Sequence, residues 1–148
     1  MHIARPIRPC PALIPEATEA ALEHGSLERD LKLARQIQES LLPKAFPSLP
    51  GFQVSAFCKS AHQVGGDFYD VVPLASGSTL FVISDAMGKG VSAAMLAASL
   101  RALLRTVAQF SSSPGDLLAR VNRLMLQDLS SVEHPSSQGI RADVWRLF

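Results

Sequence analysis

With 148 residues, a hydrophobic fraction of 47% and a formal net charge of +1, the chain is one domain at most, or part of one, and falls outside the disordered class. The near-neutral balance leaves no electrostatic footprint for nucleic acid or for an anionic membrane surface. Cys10 and Cys58 have no spacing that reads as a disulfide framework or a zinc site, so reduced thiols in a cytoplasmic protein are expected.

The opening residues, Met1 to Pro11, carry the positive charge of a signal peptide but not its continuous apolar core, because prolines interrupt it throughout. Residues 1–15 are therefore expected to form a disordered leader. Residues 16–43 read as a helical linker, with a helix from Glu16 to Leu42 weakened at Gly25 and stopped by Pro43. Leu27, Leu31, Ala34, Gln38 and Leu41 alternate four and three residues apart, the seam of a helix that packs on another helix. Two readings of that seam stay open. It is an amphipathic helix lying on its own domain, or a dimerising signal helix that joins an upstream sensor to the domain and makes a homodimer.

Pro43 to Gly51, with prolines at 43, 47 and 50, reads as an extended arm. Three strand candidates follow. Phe52, Val54, Ala56 and Cys58 alternate with Gln53, Ser55 and Lys59, which predicts a half-buried strand. Phe68 to Leu74 is a second and Leu80 to Ser84 a third, joined as a hairpin through Ser76-Gly77-Ser78. The continuous apolar run Leu80-Phe81-Val82-Ile83 predicts a strand covered on both faces.

From Val91 to about Phe110 the chain is rich in Ala and Leu, with Arg101 and Arg105 on one helical ridge. The arginines argue against a membrane span, and the pattern fits a helix sandwiched between a sheet and another helix. Ser113-Pro114-Gly115-Asp116 is a helix start, with Ser113 as N-cap, Pro114 at the first helical position and Asp116 completing a capping box. Leu117, Leu118, Val121, Leu124 and Met125 give that helix its buried face. Residues 130–148 have no clear period and read as an atypical tail.

Two segments carry the chemistry, Val64-Gly-Gly-Asp-Phe-Tyr-Asp70 and Ser84-Asp-Ala-Met-Gly-Lys-Gly90. Each sets an aspartate beside glycines, and an apolar run delivers Asp85 to a loop. Hard divalent cations take oxygen ligands held by rigid backbone, and glycines let a phosphate come close. By itself the first segment reads first as a hairpin whose aspartate bonds its own backbone. The second is more specific, because an apolar strand running into Asp-x-x-Gly-x-Gly and then a helix has few structural excuses, a glycine-rich strand-to-helix turn being the lesser alternative. Gly88-Lys89-Gly90 is not a phosphate-binding P-loop, since it lacks the four-residue spacing and the hydroxyl residue after lysine. Lys89 reads as a solvated surface lysine and Asp70 as structural. The Gly65-Gly66-Asp67 triplet does not extend to a diguanylate cyclase motif, because Phe68 stands where an acidic residue is needed.

In this order, Ala34-Arg-Gln-Ile-Gln-Glu-Ser-Leu-Leu-Pro43, the Val64–Asp70 segment, Ser84 to Ala94, and Pro114 to Leu118 with Asn122 resemble the SpoIIE/RsbU branch of the PPM metal-dependent Ser/Thr protein phosphatases. The resemblance implies an α/β (α+β) fold, the α-β-β-α sandwich of two antiparallel sheets flanked by helices. Residues 44–129 would be the N-terminal half of that domain. It further implies a centre of two Mn2+ or Mg2+ ions that activates water to attack a phosphoserine or phosphothreonine. Asp85 and the Ala86 carbonyl would be ligands, Asp67 would serve the same centre, and Gly66, Gly88 and Gly90 would let the phosphate approach. The implied partner is a phosphorylated regulatory protein, a STAS-domain anti-anti-sigma factor.

The family's later strands, its Ala-Gly-His stretch and its further metal aspartates have no counterpart here. Asp128, Asp143 and His134-Pro135 stand in other contexts. A divalent cation of this kind wants about six oxygen ligands, so the chain alone is expected to be inactive or nearly so. The competing expectation is a non-catalytic half-domain that binds a partner as an interaction and regulatory module.

Overall fold

A computed structural model describes residues 13–60, 62–129 and 140–147. Helix α1 spans Leu13–Leu41, strand β1 Phe68–Pro73, β2 Thr79–Ala86, helix α2 Val91–Ala108, α3 Pro114–Leu129 and β3 Ile140–Leu147. The expected leader lies outside the described residues up to residue 12, and residues 13–15 are already helical. Gly25 is accommodated inside α1, and the helix stops just short of Pro43, whose ring cannot continue it.

The sheet is antiparallel with order β1-β2-β3, so β2 is central. Phe68 pairs with Ser84 and Pro73 with Thr79, and the hairpin closes where Leu74 N–H donates to the Ser78 carbonyl at 2.8 Å. Gly77 sits in that turn at φ 85°, left-handed backbone open to glycine at no steric cost. On the other side of β2, Thr79 pairs with Leu147 and Ala86 with Ile140. Part of the supposedly atypical tail is thus a strand. Ile140, Ala142 and Val144 alternate with Arg141 and Asp143, a short strand signal that the expectation of a tail without a period missed, and β3 pairs along the whole length of β2.

One face of the sheet makes the core. Phe68, Val72, Leu80 and Val82 point to α2 and α3, where they meet Ala97, Leu100, Leu104, Leu117, Val121 and Met125. Helix α2 is long and apolar enough, by length and composition, to cross a membrane. Its buried residues, Ala93, Ala97, Leu100, Leu104 and Ala108, instead repeat at the helical period and pack in this core. At the start of α3, Ser113 Oγ accepts the Asp116 N–H at 3.2 Å, but the Asp116 carboxylate takes the N–H of Ser112 at 3.1 Å rather than that of the cap residue. The reciprocal half of the capping box therefore closes one residue early.

The opposite face is open, which corrects two expectations. Phe81 is half-buried and Ile83 is 57% exposed, so the apolar run of β2 is covered on one side only. No second sheet is stacked on it among the described residues. Nor do residues 52–58 form a strand. They make no ladder, only a single bridge between Leu49 and Phe52, and Phe57 is 86% exposed. Alternation without a neighbouring edge to take the hydrogen bonds leaves an arm, not a strand. The arm is tethered at its root, where Tyr69 stacks at an angle on Phe46 with ring centres 6.1 Å apart.

Helix α1 divides in two. Residues 26–30 are exposed, whereas Leu31, Ala34, Gln38 and Leu41 are half-buried. The C-terminal half of the seam therefore lies on the domain, as one of the two readings of the seam expected, and Leu27 stands clear of it.

Candidate metal centre

Asp67 and Asp85 meet at one end of the open sheet face. Phe68 opposes Ser84 in the ladder, so the antiparallel register carries Asp67 towards Asp85. The contact continues past the ladder, with Ala86 N–H donating to the Gly66 carbonyl at 3.3 Å. Both aspartates line an open cleft of about 540 Å³, walled by arm residues 55–59 and by Tyr69 and Ile83. Partial burial raises the Asp67 carboxyl above its ordinary value. A side-chain hydrogen bond to Asp85 and the charge of that carboxylate push it the same way. Two carboxylates brought this close repel each other, and a cation between them relieves that repulsion.

The glycines divide the work differently from the expected phosphate approach. Gly66 is buried, and a Cβ there would lie 2.5 Å from the Ala86 carbonyl oxygen and 3.0 Å from its Cβ. The residue is glycine because the two motif backbones touch. Gly88 and Gly90 have φ of 108° and 73°, values that L side chains rarely adopt. They turn the chain from β2 into α2, whose N-cap, Gly90, offers no side-chain hydrogen bond. The first turn of α2 is thus open beside the Asp85 loop.

Three neighbours hold the Asp67 loop. Gln38, in the α1 seam, donates from Nε2 to the Gly65 carbonyl at 2.6 Å and accepts the Gly65 N–H at Oε1 at 3.1 Å. The signal for it in the sequence is a polar residue at an apolar seam position. The Cys58 thiol lies 3.7 Å from the Asp67 carbonyl oxygen, and burial, with the Asp67 charge, raises its pKa. Ser60 Oγ packs against Gly65.

Asp70 belongs elsewhere. It is 2% exposed and faces α2. Arg105 takes both its oxygens, Nε to Oδ2 at 2.6 Å and a terminal nitrogen to Oδ1 at 2.8 Å. Arg101 Nε stands 3.1 Å from Oδ2. The arginine ridge of α2 thus has its partner in β1, and Asp70 is structural as expected. The hydrogen bonds to Asp70 raise the Arg105 pKa, while burial lowers that of Arg101.

The donor set fits a divalent cation in part. Asp67 and Asp85 supply hard oxygens, but no cluster of three or more His, Cys, Asp or Glu side chains occurs among the described residues. The mixed α/β layer, with an aspartate pair at the end of an antiparallel hairpin, is consistent with a truncated PPM-type phosphatase fold. Residues 75–140 match the family described as stage II sporulation protein E (SpoIIE). That match, with the relatives below, supports a fragment of a PPM-type phosphatase of the SpoIIE/RsbU branch. It is 41% identical over 99 residues to Protein IcfG of Synechocystis sp., covering 67% of this chain and 16% of that protein. It is 24% identical over 105 residues to Phosphoserine phosphatase RsbU of Bacillus subtilis, covering 71% of this chain and 31% of that protein. The chain therefore spans less than a third of the length of these curated relatives.

Proposed function

We propose that this chain carries part of the active site of a metal-dependent protein serine/threonine phosphatase, and that Asp67, Asp85 and the Ala86 carbonyl are its share of the metal ligands. The observation that carries the reading is the juxtaposition of Asp67 and Asp85, which line one cleft where the two motifs that resemble this family touch. Mn2+ or Mg2+ held there would lower the pKa of a shared water and offset charge on the phosphoryl oxygens. The protein's own part is to hold both carboxylates on one sheet end, to keep bulk away at Gly88 and Gly90, and to aim the first turn of α2 at an anion. The substrate in this reading is a phosphorylated regulatory protein of the anti-anti-sigma (STAS) class, met in the cytoplasm.

Because two carboxylates and a carbonyl fall short of about six ligands, this chain by itself is inactive or nearly so in this reading. The open apolar sheet face supports a second one, a non-catalytic half-domain that acts as an interaction and regulatory module. Manganese titration separates them. Saturable binding lost in Asp85→Ala supports the phosphatase fragment, and metal-independent partner binding supports the module. Steady manganese-dependent hydrolysis of p-nitrophenyl phosphate, abolished by Asp85→Ala, would overturn the expectation of inactivity.

A further inference from the structure

The cleft that holds Asp67 and Asp85 is lined by a third charged side chain, Lys59. Lys59 stands on the arm, which is pinned one residue earlier, where the Cys58 thiol lies 3.7 Å from the Asp67 carbonyl oxygen. Lys59 and Asp67 also line a neighbouring pocket of about 280 Å³ together. Among the described residues the Lys59 ammonium makes no ion pair, whereas Arg35, the other cation of that pocket, is tied to Glu39 at 2.8 Å. Lys89, the lysine of the second motif, does not line the aspartate cleft. Lys59 is therefore the one cationic side chain that the described residues bring to this cleft, and its charge is not spent on a neighbour.

We propose that Lys59 binds the phosphoryl group of the substrate, a phosphoserine side chain, beside the aspartate pair; this rests on the phosphatase reading above. The charge balance of the cleft supports it. Two carboxylates and one ammonium give the cleft by itself a negative sign, which repels a phosphate dianion. With divalent charge on the aspartates the sign reverses, and the ammonium then adds to the attraction. A lysine suits that place. Its ammonium is a compact charge with three donors on a flexible stem, and while protonated it has no lone pair with which to compete for a metal. Its hydrogen bonds to a phosphoryl oxygen are charge-assisted and hence strong. Because the arm makes no ladder, Lys59 can follow the bound group while Asp85 stays fixed at the end of β2. Free phosphate offers the same oxygens, and the experiment separates the two sources.

The test is calorimetric titration of the 148-residue chain with a short phosphoserine peptide and with inorganic phosphate, each with and without saturating Mg2+. The peptide is expected to bind only with Mg2+ present. Lys59→Gln should weaken it about tenfold at low ionic strength, a loss of about 1.4 kcal/mol that shrinks as salt is raised. Lys59→Arg should keep most of the affinity and Lys89→Gln all of it. Lys59 is exposed, so these substitutions leave the core untouched. Metal affinity, followed separately by Mn2+ titration, should be no weaker in Lys59→Gln than in the unsubstituted chain. Unchanged peptide affinity in Lys59→Gln, with Mn2+ binding still lost in Asp85→Ala, would overturn the role of the lysine and leave the phosphatase reading standing. Mn2+ binding that survives Asp85→Ala would overturn that reading and the proposal with it. Tighter Mn2+ binding in Lys59→Gln without loss of peptide affinity would assign the ammonium to Asp67 instead and overturn the proposal. So would absence of peptide binding to the Mg2+-loaded chain, whether or not inorganic phosphate binds.

Discussion

The side-chain amide of Gln38 forms a two-bond ring with the backbone of Gly65, donating to its carbonyl at 2.6 Å and accepting its N–H at 3.1 Å. A helix outside the sheet thereby holds the residue two positions before Asp67. In Gln38→Glu the acceptor survives, but the donor becomes a second carboxylate oxygen facing a carbonyl. The expected cost at neutral pH is about 1–2 kcal/mol, with faster amide exchange at Gly65 and Gly66. Below the carboxylate range the protonated glutamate donates again, and exchange at both amides should slow. Exchange rates followed by NMR at two pH values check this.

Neighbouring glycines should respond unequally. Gly66→Ala drives a Cβ into the Ala86 backbone carbonyl at 2.5 Å, whereas Gly65→Ala meets the Ser60 hydroxyl at 2.8 Å. Backbone in a strand ladder cannot yield, but a serine side chain can rotate. Gly66→Ala is expected to cost about 1–3 kcal/mol and Gly65→Ala clearly less, as read from urea midpoints.

Removal of the Asp70 carboxylate strands two guanidiniums. Asp70→Ala should destabilise by about 3 kcal/mol, the scale for breaking a buried ion pair from one side. Arg105→Lys keeps the charge but loses the two-pronged grip, so it should cost less. Chemical denaturation of the two variants orders them.

Asp67 and Asp116 should pull the pH dependence of stability in opposite directions. The Asp67 pKa is raised by burial and by its bond and charge interaction with Asp85. Its contribution is therefore full in acid and lost as pH rises through the folded-state value above 3.8. The Asp116 pKa is lowered, first by the Arg120 side chain and then by the Ser112 N–H. Its contribution is present above 3.8 and lost as pH falls. Without divalent cations, Asp67→Asn should raise the melting temperature at pH 7, and Asp116→Asn should lower it. Thermal scans of both variants at pH 7 and in acid test the signs.

The hairpin, α2 and α3 were legible in the sequence because each is a local pattern: turn residues at 76–78, a helical stripe, a serine-proline cap. Asp67 and Asp85 could be singled out, though only the strand register shows that they face each other. The pairing of Asp70 with Arg101 and Arg105 was not legible, since it joins residues more than thirty positions apart. Residues 52–58 misled for the opposite reason. Alternation records which side chains are apolar, not whether a neighbouring backbone is there to pair with. The alternation of β3, Ile140-Arg141-Ala142-Asp143-Val144, is present in the sequence but too short to stand out from the aperiodic residues before it, and the ladder with β2 gives it its meaning.

The central position of β2 sets different lifetimes for the two halves of the aspartate pair. Asp85 lies on a strand bonded to neighbours on both sides, so its backbone opens only with the sheet. Asp67 precedes an edge strand and is held by Gln38, the Gly66–Ala86 contact and a thiol. Segments with few tertiary bonds open at a fraction of the global free energy. Whatever the carboxylates bind, its residence time is then set by the breathing of residues 62–67, and hence by how firmly α1 keeps its glutamine in place.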